Sequence, residues 1–486
     1  MTYLKYKQLL LHSSLISAVL LASCAIPGRK KLPDPKPLPA RFATDGDSLQ
    51  NIALLSPDSF FRDAHLRNAI KDVLQHNPDM QIALQRIRTA GAYLKMSKGA
   101  LLPSLSMNAH ASGTKYGKYT MEGVGNFDTN LSPNIEEEQK VGTNPTPDFW
   151  LGLSTNWELD IWGRLGKMKK AARHRFMASA EAAAMVKSML VTQTALFYYE
   201  LLTLDRELEI LKENITLQER ALEIVVAQKE GGRATELAVQ QFNAQLLSSR
   251  GHLLGIQQRI TETENNLNAL SGKYEGHISR SAFRTIDQNF DALDAAGIPA
   301  AILRNRPDIR QAEAEMLAAD ADLGAARAAF FPSLNLSAYT AFSAFKGDLL
   351  FSAGSLGFQL LGGLTAPLFQ KHQIRSQYRI AEAGQQEQFY NYERTVLNAY
   401  KEVLNYISNI RNLGQRSDLK EEEVTALGNG VSISEDLYIT GYASYIELVA
   451  AQKSKLEAEL QLIDLKRAEL YTAINLYKSL GGGWRE

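Results

Sequence analysis

The chain is poor in the features on which most chemistry is built. It holds a single cysteine, Cys24, in 486 residues, which excludes an intrachain disulfide and any cysteine-rich zinc site. It has no surplus of either charge: 53 Lys+Arg balance 53 Asp+Glu, whereas a nucleic-acid binder normally carries a basic excess. Beyond the amino-terminal leader, no apolar run approaches the roughly 18 residues of a membrane-crossing helix. The histidines, His65, His110, His174 and His372 among them, form no HExxH or similar ligand spacing. No phosphate-cradling glycine loop, nucleophile elbow or kinase set is present. An enzyme, a resident metal, a cofactor and a nucleic-acid partner are therefore not expected. If the chain crosses a membrane it must do so with strands, the only other backbone that satisfies its own hydrogen bonds in lipid.

What is present begins with the leader. Lys5 and Lys7 precede a mostly apolar run from Leu9 to Leu21, of signal-peptide length. Leu21-Ala22-Ser23-Cys24 resembles a bacterial lipobox, so residues 1–23 are expected to be a removed signal peptide and Cys24 the lipidation site. Ala25, in place of an aspartate, fits outer-membrane sorting. Each buried CH₂ of an acyl chain contributes about 0.8 kcal/mol, so several chains on one cysteine anchor durably. Pro27, Pro33, Pro35, Pro37 and Pro39, mixed with Arg29, Lys30, Lys31 and Lys36, cannot pack. Residues 24–58 thus read as an extended, lipidated tether.

The rest of the chain repeats itself once. Asn77-Pro78-Asp79-Met80 matches Arg306-Pro307-Asp308-Ile309. At the same separation from each, Leu102-Pro103-Ser104-Leu105 matches Phe331-Pro332-Ser333-Leu334. Gly163 stands to Gly232 as His372 stands to Gly441, and the halves end alike in Leu270-Ser271-Gly272 and Leu480-Gly481-Gly482. One structural unit used twice is expected, over 59–272 and 299–482, joined by a segment over 273–298.

Each unit reads as helix, two strands, long helix, helix. In the first, helix-favouring composition fills 78–101, proline is absent from 167 to 229, and Leu201, Leu204, Leu208, Leu211 and Ile215 recur at helical spacing. Gly231-Gly232 then breaks the chain, and 234–270 returns. The second half predicts helices over 307–330, 373–439 and 443–480, broken at Gly441. The strands are predicted over 104–113, 148–158, 333–342 and 355–366. Leu105, Met107, Ala109 and Ala111 alternate with Ser106, Asn108, His110 and Ser112, and Phe149, Leu151, Leu153 and Trp157 with Trp150, Gly152, Ser154 and Asn156. Leu334, Leu336 and Ala338, then Leu356, Phe358, Leu360 and Leu364, repeat the pattern. Period two gives one apolar and one polar face, which suits either a transmembrane barrel or a soluble hairpin with one buried face. Four strands cannot close a barrel, and an open sheet in lipid leaves unsatisfied edges, so membrane strands would require several chains. A lumen favours three or more. The polar stretch between Thr114 and Asp148, with Glu136, Glu137 and Glu138, reads as an external loop.

Together with these features, Trp157-Glu158-Leu159-Asp160-Ile161-Trp162-Gly163-Arg164 resembles the TolC-like outer membrane factors, in particular the NodT-type efflux lipoproteins of tripartite RND-type pumps. The similarity runs over about residues 40–484. Pro367-Leu368-Phe369 continues it, but the family's following Asp-Gly-Gly-Arg is replaced by Gln370-Lys371-His372-Gln373. The resemblance implies a mainly α chain with membrane β: a homotrimer whose helical hairpins form a periplasmic α-barrel and whose strands share one transmembrane β-barrel. It implies a periplasmic adaptor and an inner-membrane transporter as partners, with outer-membrane lipid around the strands. Adaptor docking is expected at the tips, at Gly232, Arg233, Gly441, Tyr442 and Ser444. Aperture-lining positions of the family match Ile446, Glu447 and Ala450; relatives often carry aspartate at the last, so an acidic ring would rest on Glu447. Glu158 and Asp160 read as structural, with Asp160 complementing a helix dipole. Met177, Met185 and Met189 read as a packing stripe rather than soft metal ligands. The expected function is passive conduction of small molecules outward. A type I protein-secretion channel and a periplasmic coiled-coil scaffold without a pore are the competing readings.

Overall fold

The structure, a computed structural model, describes residues 28, 32–34, 36–39, 56–283, 300–367 and 370–485. The expected signal peptide, Cys24, most of the tether and residues 284–299 lie outside the described residues. In chain order the elements are α1 (Pro57–Phe60), α2 (Ala64–His76), α3 (Pro78–Gly99), β1 (Ser104–Thr114), α4 (Met121–Thr129), β2 (Thr146–Leu159), α5 (Arg164–Glu230) and α6 (Glu236–Leu270). Then follow α7 (Pro307–Ala328), β3 (Ser333–Ala344), β4 (Leu356–Thr365), α8 (Gln373–Thr440) and α9 (Tyr445–Ser479). The protein is thus mainly helical with one small antiparallel sheet of order β1-β2-β3-β4. No described helix is long and apolar enough to cross a membrane.

Two compact units emerge. One contains Ala90–Phe176 and Met316–Gln388, hence the sheet; the other contains Met177–Glu315 and Phe389–Glu486, hence most of the long helices. α5 and α8 have 67 and 68 residues, about 100 Å of rise at ~1.5 Å per residue. In the helical unit, Lys229–Glu236, Glu219–Arg250 and Glu200–Arg259 step backward along α5 as they step forward along α6, so the two helices are antiparallel. Lys466–Glu421 and the Asn409–Thr472 hydrogen bond pair α8 with α9 in the same way. The core of this unit gathers Tyr198, Leu202, Val403, Ile474 and Tyr477 around Phe61 and Leu66. Phe60 stacks on Tyr477 with ring centroids 4.0 Å apart. Asn77 and Arg306 each precede a Pro-Asp helix start, and each ties down a helix end. Asn77 donates to the Leu270 carbonyl at 2.8 Å, and Arg306 to that of Ser479 at 2.8 Å.

Two features depart from the sequence reading. The polar stretch after β1 contains α4, opened by the Thr120 hydroxyl accepting the Gly123 N–H at 3.1 Å. Gly123 and Gly125 lower helix propensity and hide this element. Before α8, Lys371 and His372 have φ of 44° and 66°, where an L side chain costs about 1–2 kcal/mol. These positions stand where the family that the chain resembles carries Gly-Gly, so here the turn is made by two non-glycine residues under strain. Glycine would relieve it but loses about 0.5–1 kcal/mol of chain entropy on folding. The double substitution Lys371→Gly/His372→Gly is therefore expected to raise stability by a net ~1 kcal/mol; an unchanged or lower denaturation midpoint contradicts this account of the turn.

Candidate functional site in the two-faced sheet and the hairpin tips

The register sorts the side chains of all four strands. Leu105, Met107, Ala109 and Ala111 of β1 oppose Thr155, Leu153, Leu151 and Phe149 of β2, which oppose Ala338, Thr340, Phe342 and Ala344 of β3. Leu364, Leu360, Phe358 and Leu356 of β4 continue this face. The other face carries Ser106, Asn108, Ser154, Asn335, Tyr339 and Gln359, and the Asn108 amide donates to the Ser154 hydroxyl at 3.0 Å. The apolar face is bare: Met107 is 70 % and Phe358 85 % exposed. Apolar patches of this kind mark surfaces that meet something other than water. β1 and β4 pair on one side only, so each presents a row of free backbone donors and acceptors.

The Trp157–Arg164 run builds the passage from β2 into α5 within the sheet unit. Asp160 accepts the Leu165 and Gly166 N–H groups at 2.8 and 2.6 Å, capping the first turn of α5. Arg164 grips Glu158 with two bonds, at 3.2 and 2.6 Å. The indoles are also engaged: Trp157 donates to the Leu101 carbonyl at 2.9 Å and Trp162 to that of Pro332 at 2.7 Å, stacking on Phe331. Every polar group of the run is used in local structure, consistent with the structural reading of Glu158 and Asp160.

At the tips of the helical unit, Gly232 and Gly441 have φ of 71° and 84°, a left-handed backbone that glycine tolerates. The Arg233 N–H closes onto the Gln228 carbonyl at 2.7 Å and the Tyr442 N–H onto that of Leu437 at 2.8 Å, the six-residue closure typical of helix ends. Arg233, Tyr442 and Ser444 are exposed. The hydroxyl of Tyr438 on α8 donates to Gln228 on α5 and links the two hairpins. Below this link Val225, Ala238, Phe242 and Leu448 pack together.

Ile446 and Ala450 line a groove of about 540 Å³ between α6 and α9. Glu447 does not line it. Its carboxylate accepts the Ser444 N–H at 2.6 Å and the Ser444 hydroxyl at 3.0 Å. These bonds hold its pKa below the usual carboxylate value. Glu447 is exposed but already serves as its own helix's cap, a role that Ser-x-x-Glu in the sequence could have signalled.

A half-buried charge cluster has no local signature in the sequence. Glu200 and Glu207 of α5 meet Arg259 of α6 and Arg467 of α9. Arg259 donates to Glu200 at 2.9 Å and to Glu207 at 3.3 Å, and Arg467 to each at 3.4 Å. Tyr471 donates to Glu200 at 2.5 Å. Glu207 is 5 % exposed, and burial pushes its carboxyl pKa up against the pull of the two guanidinium groups. The partners lie on three helices, so no local motif could expose them.

Comparison with known proteins agrees with this geometry. The family model described as "Outer membrane efflux protein" matches residues 69–273 and 298–482. "Cation efflux system protein CusC" of Escherichia coli is 28 % identical over 473 residues, covering 96 % of this chain and 98 % of that protein. "Probable outer membrane lipoprotein SilC" of Salmonella typhimurium is 27 % identical over 477 residues, covering 97 % and 98 %. A crystal structure of CusC, described in terms of folding and transmembrane channel formation, superposes with a TM-score of 0.81 at 27 % identity, covering 94 % of this chain and 100 % of that one.

Proposed function

Since the chain belongs to the outer membrane efflux protein family, whose members are outer-membrane transport components and not enzymes, we propose that it is the lipid-anchored exit duct of a tripartite efflux system. In this reading three copies share one twelve-strand barrel, four strands each. The hairpins of the repeated units, 59–272 and 299–482, form a periplasmic helical tube. A periplasmic adaptor docks around Gly232, Arg233, Gly441, Tyr442 and Ser444, and an inner-membrane transporter supplies energy and selects cargo. Ile446 and Ala450 would face the aperture, with Glu447 becoming available only if its bond to Ser444 is released. Cys24 carries the lipid, as the name of SilC suggests for that relative.

The observation that carries the reading is the sheet register. It collects apolar side chains on one exposed face and polar ones on the other, as a barrel wall between lipid and water requires. Two unpaired borders per chain cannot persist in lipid and call for sibling chains. A coiled-coil scaffold gives such a sheet no role. Full-length protein reconstituted in planar bilayers should give stepwise conductance, at least as Glu447→Ala or Tyr438→Phe, which loosen the tip. Labelled palmitate should enter the wild-type chain and not Cys24→Ala. Silence from every variant defeats the pore; equal labelling defeats the anchor.

A further inference from the structure

The two hairpins of the helical unit are alike in sequence order but not in what covers them. Gly232 matches Gly441 at the tips, and Leu270 matches Ser479 at the far end, where Asn77 and Arg306 hold the two carbonyls. α6 and α9 each have 35 residues, so every residue of one has a counterpart in the other. One face is buried in both: Ser249, Ile256 and Leu267 of α6 correspond to Ala458, Leu465 and Leu476 of α9. α9 buries a second face as well. Its Leu456 and Ile463 share a cluster with Ile210 of α5. The counterparts of these two on α6, Leu247 and Leu254, are 56 % and 66 % exposed, and that of Ile210 on α8, Leu419, is 67 % exposed. The chain therefore makes this helix contact once and displays both halves of it again, unmatched.

We propose that a second copy of this chain covers these surfaces, with α6 of one copy lying on α8 of the next as α9 lies on α5. The direction is antiparallel, because Tyr471 reaches Glu200 while the earlier Arg467 reaches the later Glu207. Leu460 of α9 packs against the cluster that holds Ile210. Its counterpart on α6 is Gly251, where a Cβ would meet nothing within 4 Å. Leu419 thus enters a hole floored by Gly251 and flanked by Leu247 and Leu254, in the manner of a knob between helices. Charge selects the helix. The counterparts of Glu207 and Arg467 are Arg416 on α8 and Gln258 on α6. A sibling's α9 laid on α8 would set Arg467 against Arg416, and like charges reject it; α6 brings no such clash. The two surfaces lie on different hairpins, so the contact is head-to-tail and runs on from copy to copy until a ring closes. This names the helices and register by which copies meet, and it rests on the trimer reading for the number of copies alone.

The test uses the full chain in native membranes. The register sets Gly251 against Leu419 and, one turn away, Leu247 against Glu423, close enough for the roughly 7 Å Cα separation that a disulfide tolerates. Under a mild oxidant, Gly251→Cys/Leu419→Cys and Leu247→Cys/Glu423→Cys should each link most of the protein into dimers and larger closed species on non-reducing gels. Co-expressed Gly251→Cys and Leu419→Cys chains should stop at dimers, and neither single variant alone should link, which sets Cys24 aside. Should one double variant fail to fold, the other decides. A heat-resistant oligomer that neither pair links overturns this seam and leaves the shared barrel standing. Linked chains that conduct no current keep the seam and count against the pore.

Discussion

Leu153→Arg is expected to abolish stable insertion into the outer membrane, while Ser154→Arg, one residue further along the same strand, leaves assembly intact. The two positions sit near the middle of β2 and differ only in face. Leu153 lies between Met107 and Thr340 on the apolar side, and Ser154 between Ser106 and Tyr339 on the polar side. An arginine on the lipid face near the bilayer midplane costs about 2–4 kcal/mol per chain, and the proposed trimer would carry it three times. If, as proposed, the polar face borders a lumen, the same side chain at Ser154 would be solvated there and add positive charge to the path, so conductance should shift toward anions. The checks are the heat-resistant oligomer on gels and the reversal potential in bilayers. Equal tolerance of both variants would mean that the exposed apolar face does not meet lipid.

Removal of Arg467 is expected to have the largest effect within the helical unit. Its side chain, 21 % exposed, faces Glu207, whose side chain is 7 % exposed. Taking one partner from a fully buried ion pair leaves an uncompensated charge and costs about 3–5 kcal/mol; here only Glu207 is fully buried, which places the loss at the lower end of that range. Arg259 remains, so Arg467→Met should lose about 3 kcal/mol, read from the denaturant midpoint. The pH dependence has a defined sign. Burial raises the Glu207 carboxyl pKa, so the folded state holds this proton more tightly than the unfolded chain. The group's contribution is therefore full below the ordinary carboxylate pKa and is lost as pH rises through the elevated value. Without Arg467 that value climbs further, and the deficit should be greater at about pH 8 than at about pH 5. A deficit independent of pH would place the cost in lost packing of the arginine stem.

The helical character and the four strands were legible because they rest on short-range patterns. Leu105, Met107 and Ala109 alternate, and the stretch before Gly232 is free of proline. α2 is faint in the sequence, although Asp63 caps it and Leu66, Ile70 and Val73 follow at helical spacing. Its brevity and the proline that closes it make it a weak signal beside the long helices. The strand register was beyond reach, because it is set between β2 and β3, far apart in the chain. The same distance hid the Glu200–Arg259–Arg467 cluster and the Tyr438–Gln228 link, which depend on which helices lie side by side. Glu447 shows a different limit. The resemblance assigns it to an aperture, and the Ser-x-x-Glu spacing adds a capping role in which its carboxylate accepts the Ser444 N–H.

A sheet whose two outer strands each lack a neighbour on one side also bears on dosage. If a chain cannot shelter its own margins, the functional unit appears only when enough copies meet, and its yield should climb more steeply than the amount of polypeptide made. A variant spoiled along one margin would then poison the intact copies that recruit it, so that a minority of defective chains silences a majority of sound ones.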